Sequence, residues 1–228
     1  MPAARTKRTA GRPHQRVLTR ENITGAALAV IGTSGYGGFT MSSLAGKLQV
    51  APSALYNHAS SKQEVLRWIQ DDLMAKVDVT GFTAGPWDAA VRTWARSYRD
   101  VFVRHTPLIP VIAVLQVSGA PRTLAMYEAV TAGFLRAGWE EARIIPAIIA
   151  LESFIFGSAF DAVAPEDIFE TGPLTDESPR FSSAVAAAAP RVGGQGADEA
   201  FEAGLEALVH GFSMPRQGQV PRQEEHHS

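Results

Sequence analysis

Residues Phe39–Lys62 read FTMSSLAGKLQVAPSALYNHASSK, which is the pattern of two short helices joined by a tight turn. Thr40 is a helix N-cap, and Phe39 and Leu44 stand where a hydrophobic staple fixes the chain's entry into the helix. Leu48, Gln49 and Val50 are too few residues for anything but a turn. Ala51 takes the next cap position, with Pro52 at the first helical residue and Val50 and Leu55 as a second staple. Short helices joined this way cross steeply and share a small core, here Leu44, Ala45, Leu48, Val50 and Leu55. The second helix, running to about His58, then turns Pro52, Ser53, Ala54 and Asn57 outward. These are small or polar groups able to approach DNA base edges.

The same start signal flanks this stretch. Thr19 caps a first helix, Glu21 favours its dipole, and Leu18 and Ile23 form the staple. Ile23, Ala26, Ala27, Val30 and Ile31 give that helix one apolar face, and the glycines of GTSGYGG (32–38) are expected to end it. A fourth helix opens at Ser60 or Ser61, because both S-x-x-Q (60–63) and S-x-x-E (61–64) make capping boxes. Leu66, Ile69, Leu73 and Val77 stripe its side. Residues 1–16 are basic, polar and proline-containing, the composition of a disordered arm able to reach phosphate or a minor groove.

Charge separates this region from the rest. The formal net charge is −2, but residues 1–66 hold Lys or Arg at 5, 7, 8, 12, 16, 20, 47 and 62 against Glu21 and Glu64 alone. A basic head on an acidic body is the footprint of a phosphate-binding domain joined to something else. The chain has no cysteine, hence no disulfide, thiol nucleophile or Cys-ligated zinc, which fits a reducing cytoplasm. No apolar export signal opens it, and Ile144–Phe160 is short for a membrane span and contains Pro146 and Glu152. The sequence lacks G-x-S-x-G, P-loop, H-E-x-x-H and strand-borne G-x-G-x-x-G motifs, so neither a catalytic site, a metal site nor a cofactor is expected.

Beyond GFTAGP (81–86), taken as the break before the body, every pattern is helical. Trp87, Val91, Trp94, Tyr98 and Val101 share a helical face, with Arg92, Arg96, Arg99 and Arg104 mostly on others. Thr106-Pro107 opens a helix carrying Leu108 to Val117, and Pro121 opens another with Leu124, Tyr127, Phe134 and Leu135, closed by Gly138. Residues 140–163 read as a helix apolar nearly all round, which requires burial on more than one side. A Pro/Gly/Ser-rich loop (164–196), with a short helix at 181–189, leads to a last helix at about 197–212 striped by Phe201, Leu205, Leu208 and Phe212. Residues 214–228 read as a disordered tail.

The capped first helix, the glycine-bearing loop and above all the LYNH tetrapeptide followed by SK resemble the tetracycline-repressor (TetR) family of bacterial transcription regulators. Members of that family typically carry Leu-Tyr-x-His-Phe there, then Ser/Asn-Lys opening the fourth helix. WDAAVRTWARSYRDVFVRH and FEAGLEALVHGF resemble the family's C-terminal domain more loosely. Three positions depart from the pattern: Gln49 where glycine is frequent, Ala51 where a serine cap is frequent, and Ala59 where an aromatic follows the histidine.

The resemblance implies an all-α chain: a helix-turn-helix DNA-binding domain at 17–66 and a helical regulatory and dimerisation domain at 67–213. It places Ser53, Ala54 and Asn57 against bases, where Asn pairs with adenine and Ala meets a thymine methyl. Thr40, Ser42, Tyr56, His58 and Lys62 fall to phosphate. For Tyr56 and His58 the alternative is packing in the small core. Lys62, a cation opposing its own helix dipole, invites a functional reason. Trp94, Tyr98, Phe102, Tyr127, Phe134 and Phe154 read as core by default, or by resemblance as an inducer pocket anchored by Glu152 and Ser153. Residues 140–163 and 197–212 would form the dimer interface, through small residues such as Gly157, Ala203, Gly204 and Ala207. The implied partners are a palindromic double-stranded operator, a second copy and a largely apolar small molecule. A regulator without inducer, and a helical carrier or enzyme, are the alternatives.

Overall fold

The computed structural model describes residues 18–188 and 195–213. The expected arm (1–16), the tail (214–228) and residues 189–194 of the expected loop lie outside the described residues. Those described form α1 (Arg20–Gly38), α2 (Met41–Leu48), α3 (Pro52–Tyr56), α4 (Lys62–Met74), α5 (Trp87–Val103), α6 (Ile109–Ile112), α7 (Pro121–Arg136), α8 (Glu141–Asp161), α9 (Pro179–Ala187) and α10 (Gln195–Ser213), with no strand among them. The chain divides into two compact units at Val65–Leu66, within α4.

In the first unit Thr19 caps α1, its hydroxyl accepting the Asn22 N–H at 3.2 Å. GTSGYGG does not stop this helix at Gly32. Glycine weakens a helix without forbidding it, and the backbone leaves helical angles only at Gly35 (φ 66°, ψ 175°) before a last turn to Gly38. Thr40 and Ser43 form a reciprocal capping box on α2: Thr40 Oγ1 accepts the Ser43 N–H, and Ser43 Oγ accepts the Thr40 N–H. At the start of α4 the choice between two capping boxes falls on Ser61, whose hydroxyl accepts the Glu64 N–H at 3.1 Å. Glu64 reaches back one residue further than expected, accepting the Ser60 N–H at 2.7 Å.

Gln49 makes the turn between α2 and α3 in the left-handed region (φ 59°, ψ 42°), with its N–H donating to Gly46 O and that of Val50 to Ala45 O. This closure favours glycine, since a Cβ in left-handed backbone costs roughly 1–2 kcal/mol. Gln49→Gly is therefore expected to raise stability by about 1 kcal/mol in thermal or urea unfolding. Leu44, Leu55 and Ala59 are fully buried at this crossing, whereas Val50, expected in the core, is only partly covered.

The second unit centres on α5, whose Trp94, Tyr98 and Phe102 are wholly buried. GFTAGP proves part of this unit and not a break before it. Thr80–Thr83 form a tight turn that seats the Phe82 ring 6.4 Å from Trp94 and 6.5 Å from Phe134. Phe82 occupies the space a side chain at position 133 would need, since a Cβ on Gly133 would stand 2.3 Å from its ring. The expected helix 108–117 shrinks to α6. Its hydrogen bonds tighten from four-residue to three-residue spacing at Val114 and Leu115, and Val114 is 81% exposed, so no burial rewards another turn.

Three arginines of α5 pair in antiparallel order with acids of α10: Arg92 with Glu206, Arg96 with Glu202 and Arg99 with Asp198. Gly204 lets the Phe154 ring approach α10, where it stacks on Phe201 at 5.5 Å. Helix α8 is long and apolar enough to cross a bilayer by length and composition. Ile144, Ile148, Leu151 and Ile155 are buried, while Ile145, Ile149 and Phe160 are exposed. The expectation of burial on more than one side is thus unmet within a single chain, because neighbouring helices cover only one face of α8.

Candidate nucleic-acid interface and candidate ligand site

The helix-turn-helix core pins α3 through Leu55 and the residue that follows the turn, Ala59. Ala51 offers no capping side chain, and helical backbone is held by the Ala54 and Leu55 N–H groups donating to Ala51 O. The helix ends at Tyr56, earlier than the expected His58, although Asn57 keeps helical angles (φ −69°, ψ −17°). The Ala59 N–H turns back to Leu55 O, which ends the helix and buries the alanine methyl. Thr40, Ser42, Pro52, Ser53, Tyr56, Asn57 and His58 are all exposed, and Ala54 and Lys62 are partly covered. Packing in the small core is therefore not what occupies Tyr56 (52% exposed) or His58.

Two side chains have more specific surroundings than the sequence suggested. The Thr40 hydroxyl accepts the Ser43 N–H and donates to Ser43 Oγ, so it works as a cap. Lys62 Nζ lies 3.9 Å from the centre of the Tyr36 ring and 5.1 Å from that of Phe39. Ring faces offset the penalty of a cation at a helix N-terminus and hold the ammonium in place. Tyr36 went unnoticed in the sequence because it lies among glycines expected to form a loop. Arg20, Lys47 and Lys62 are the basic residues described in this unit, so the remaining basic charge of residues 1–66 lies outside the described residues.

In the second unit, Tyr98 on α5 and Tyr127 on α7 both donate to Glu152 Oε1 on α8, at 3.0 and 2.7 Å. Burial pushes the Glu152 carboxyl above its ordinary range, against the opposing effect of the two phenols. Burial next to that carboxylate also raises both tyrosines, which therefore remain neutral donors. Phe156, one turn after Glu152, stands 5.6 Å from the Tyr98 ring and 5.0 Å from Phe102. It was missed, though its four-residue spacing from Glu152 on a helix was the available signal.

Ser153 does not join this cluster. It is exposed, about 100° round α8 from Glu152. Phe134 and Phe154 also lie apart, Phe134 against Phe82, Trp87 and Trp139, and Phe154 against α10. Two surface clefts of about 220 and 360 Å³ are lined by other residues, among them Trp87 and Arg136 in one and Trp139 and Arg143 in the other.

A glutamate whose pKa is raised by folding contributes stability below its unfolded pKa, near 4.3, and that stability is lost as pH rises through the folded value. Glu152→Gln keeps an oxygen for both phenols and carries no charge. The variant is expected to melt higher than the parent at neutral pH, with the advantage shrinking toward pH ~4.3. Melting curves across that range check it, and a pH-independent difference would contradict the assignment.

Residues 23–69 match the family described as "Bacterial regulatory proteins, tetR family", and residues 82–214 match "Tetracyclin repressor-like, C-terminal domain". An HTH-type transcriptional regulator of Saccharopolyspora erythraea is 28% identical over 142 residues, 62% of this chain but 60% of that protein. The chain thus spans less than two thirds of that relative. The class A tetracycline repressor of transposon 1721 from Escherichia coli is 25% identical over 202 residues, 87% of this chain and 92% of that protein. The Streptomyces coelicolor TetR family protein ActR, solved in complex with actinorhodin, shares the fold with a TM-score of 0.69 at 24% identity, over 86% of this chain and 95% of ActR. With both units matched, one to each half of the family's architecture, this chain belongs to the tetracycline-repressor family of bacterial transcription regulators.

Proposed function

We propose that the protein is a homodimeric repressor that binds a palindromic operator through α2 and α3 and leaves it when a small molecule occupies the second unit. The observation that carries the DNA reading is the exposed run Pro52, Ser53, Tyr56, Asn57 and His58 over a core sealed by Leu44, Leu55 and Ala59. Ser53, Ala54 and Asn57 read bases, while Ser42, Tyr56, His58 and the ring-held Lys62 meet phosphate. Thr40 contributes by capping α2 at the backbone. No arginine stands in α3, so strong guanine reading is not expected from that helix.

Dimerisation is supported by the apolar outer face of α8, where Ile145 and Ile149 are each 57% exposed. The ligand reading is supported by the Glu152 cluster and by the small molecule that ActR holds on the same fold. Release requires the ligand to bind the DNA-incompetent arrangement more tightly. A coupling of roughly 1–3 kcal/mol lowers operator affinity about 5–150-fold.

Binding to DNA upstream of its own and neighbouring genes, measured across a salt series, tests the reading. A slope of several units on a log–log plot is expected, and absence of binding at low salt would sink it. Asn57→Ala is expected to cost about 1–3 kcal/mol on the cognate operator and to reduce discrimination, while Lys62→Ala weakens all sequences alike. Equal losses in the two variants would contradict the division of roles.

A further inference from the structure

Helix α1 kinks at Gly35, which stands at φ 66° and ψ 175°, a backbone region open in practice only to glycine. Two hydrogen bonds hold the turn that follows. The Phe39 N–H donates to Tyr36 O at 3.2 Å, and the Ser43 hydroxyl on α2 donates to Gly38 O at 2.9 Å. Gly38 fits because it has no side chain, since a Cβ there would stand 2.5 Å from that of Ser34. Tyr36, flanked by glycines in the sequence, thus carries its ring on backbone fixed before and after it.

The Tyr36 ring faces the Lys62 ammonium, with 3.9 Å between ring centre and Nζ, and the wholly buried Phe39 offers a second face at 5.1 Å. Tyr36 and Lys62 are both only partly covered, and no carboxylate among the described residues pairs with the ammonium. A free lysine side chain has many rotamers to lose when it meets an anion. A lysine already held over ring faces has lost part of that freedom beforehand. Rings attract a cation without neutralising it, so the full charge stays available to a phosphate.

We propose that Tyr36 is a positioning residue for DNA binding: its ring holds the Lys62 ammonium ready for a backbone phosphate, and its hydroxyl takes no part. The inference rests on the operator reading above and adds to it a residue outside α2 and α3.

The test is operator affinity by fluorescence anisotropy across a salt series, with DNA from upstream of the protein's own and neighbouring genes. It compares the full-length parent with Tyr36→Leu, Tyr36→Phe, Lys62→Ala and the combined Tyr36→Leu and Lys62→Ala variant. Tyr36→Leu is expected to weaken binding about two- to tenfold, the cost of ordering one long side chain on binding. The loss should be similar at every salt concentration because the charge is still delivered, whereas Lys62→Ala lowers the log–log slope by about 0.9. Tyr36→Phe keeps the ring and should restore parental affinity. In the Lys62→Ala background, Tyr36→Leu should cost nothing further.

An equal loss from Tyr36→Leu with and without Lys62 overturns the proposal, and parental affinity in Tyr36→Leu does the same. A matching loss in Tyr36→Phe also overturns it, because the hydroxyl would then make the contact. Any general weakening of the fold by Tyr36→Leu is common to both backgrounds and cancels in the comparison. Absence of operator binding by the parent at low salt overturns the DNA reading itself, and the role of Tyr36 with it.

Discussion

Ile149→Glu is expected to make the protein monomeric and to lower its affinity for a two-half-site operator by roughly 10²–10⁴-fold, the factor that joining two modest binding modules supplies. Ile149 is 57% exposed at the middle of α8, one turn from the equally exposed Ile145 and across the helix from the buried Leu151 and Ile155. In a single chain the new carboxylate stands in water and costs the fold little. Between two copies it would be buried without a partner, which costs several kcal/mol. Sedimentation checks the first half of the expectation. Fluorescence anisotropy on a full operator and on one half-site checks the second, since half-site affinity should be unchanged. A variant that remains dimeric and binds the full operator as tightly as its parent would remove α8 from the proposed interface.

Asp71→Ala is expected to destabilise the protein by about 3 kcal/mol, because hydrogen bonds to a charged group are worth roughly 1.5–3 kcal/mol each. One carboxylate oxygen, Oδ1, accepts the N–H groups of both Arg122 and Thr123, at 2.7 and 3.0 Å, on a side chain only 1% exposed. These are first-turn N–H groups of α7, which have no acceptor within their own helix. A negative charge there also complements the helix dipole. Asp71→Asn keeps an accepting oxygen and is expected to lose less than half as much. Thermal unfolding should show a drop on the order of 10 °C for the alanine variant. A loss below about 1 kcal/mol would mean that water replaces the carboxylate and that the junction of α4 with α7 is not closed.

The helical layout was legible where local chemistry decides it. Thr19, Thr40 and Ser61 cap their helices through their own hydroxyls, and Pro52 and Pro121 open helices because a missing N–H costs nothing there. Local signals failed where several were equally valid or where packing overrode them. Nothing near Gly32 or Val114 states that one helix will continue and the other stop. Burial beyond the segment makes that choice.

The candidate site divides along the same line. Exposure of Ser53 and Asn57 follows from the position of Leu55, which the helical period places roughly opposite them. The Lys62 ammonium over Tyr36, by contrast, joins residues from α4 and from the glycine-rich end of α1. Glu152 was legible as an anomaly in an apolar helix, but its phenolic donors come from two other helices, and no spacing along the chain announces them.

By itself the sequence determined an all-helical chain with a helix-turn-helix head, because caps, staples and turns act over four or five residues. Tertiary structure alone decided which polar groups meet: Asp71 with the start of α7, Arg99 with Asp198, and two tyrosines with Glu152. Buried polar groups must find partners wherever the packing brings them, and that is a property of the assembled helices and not of any segment.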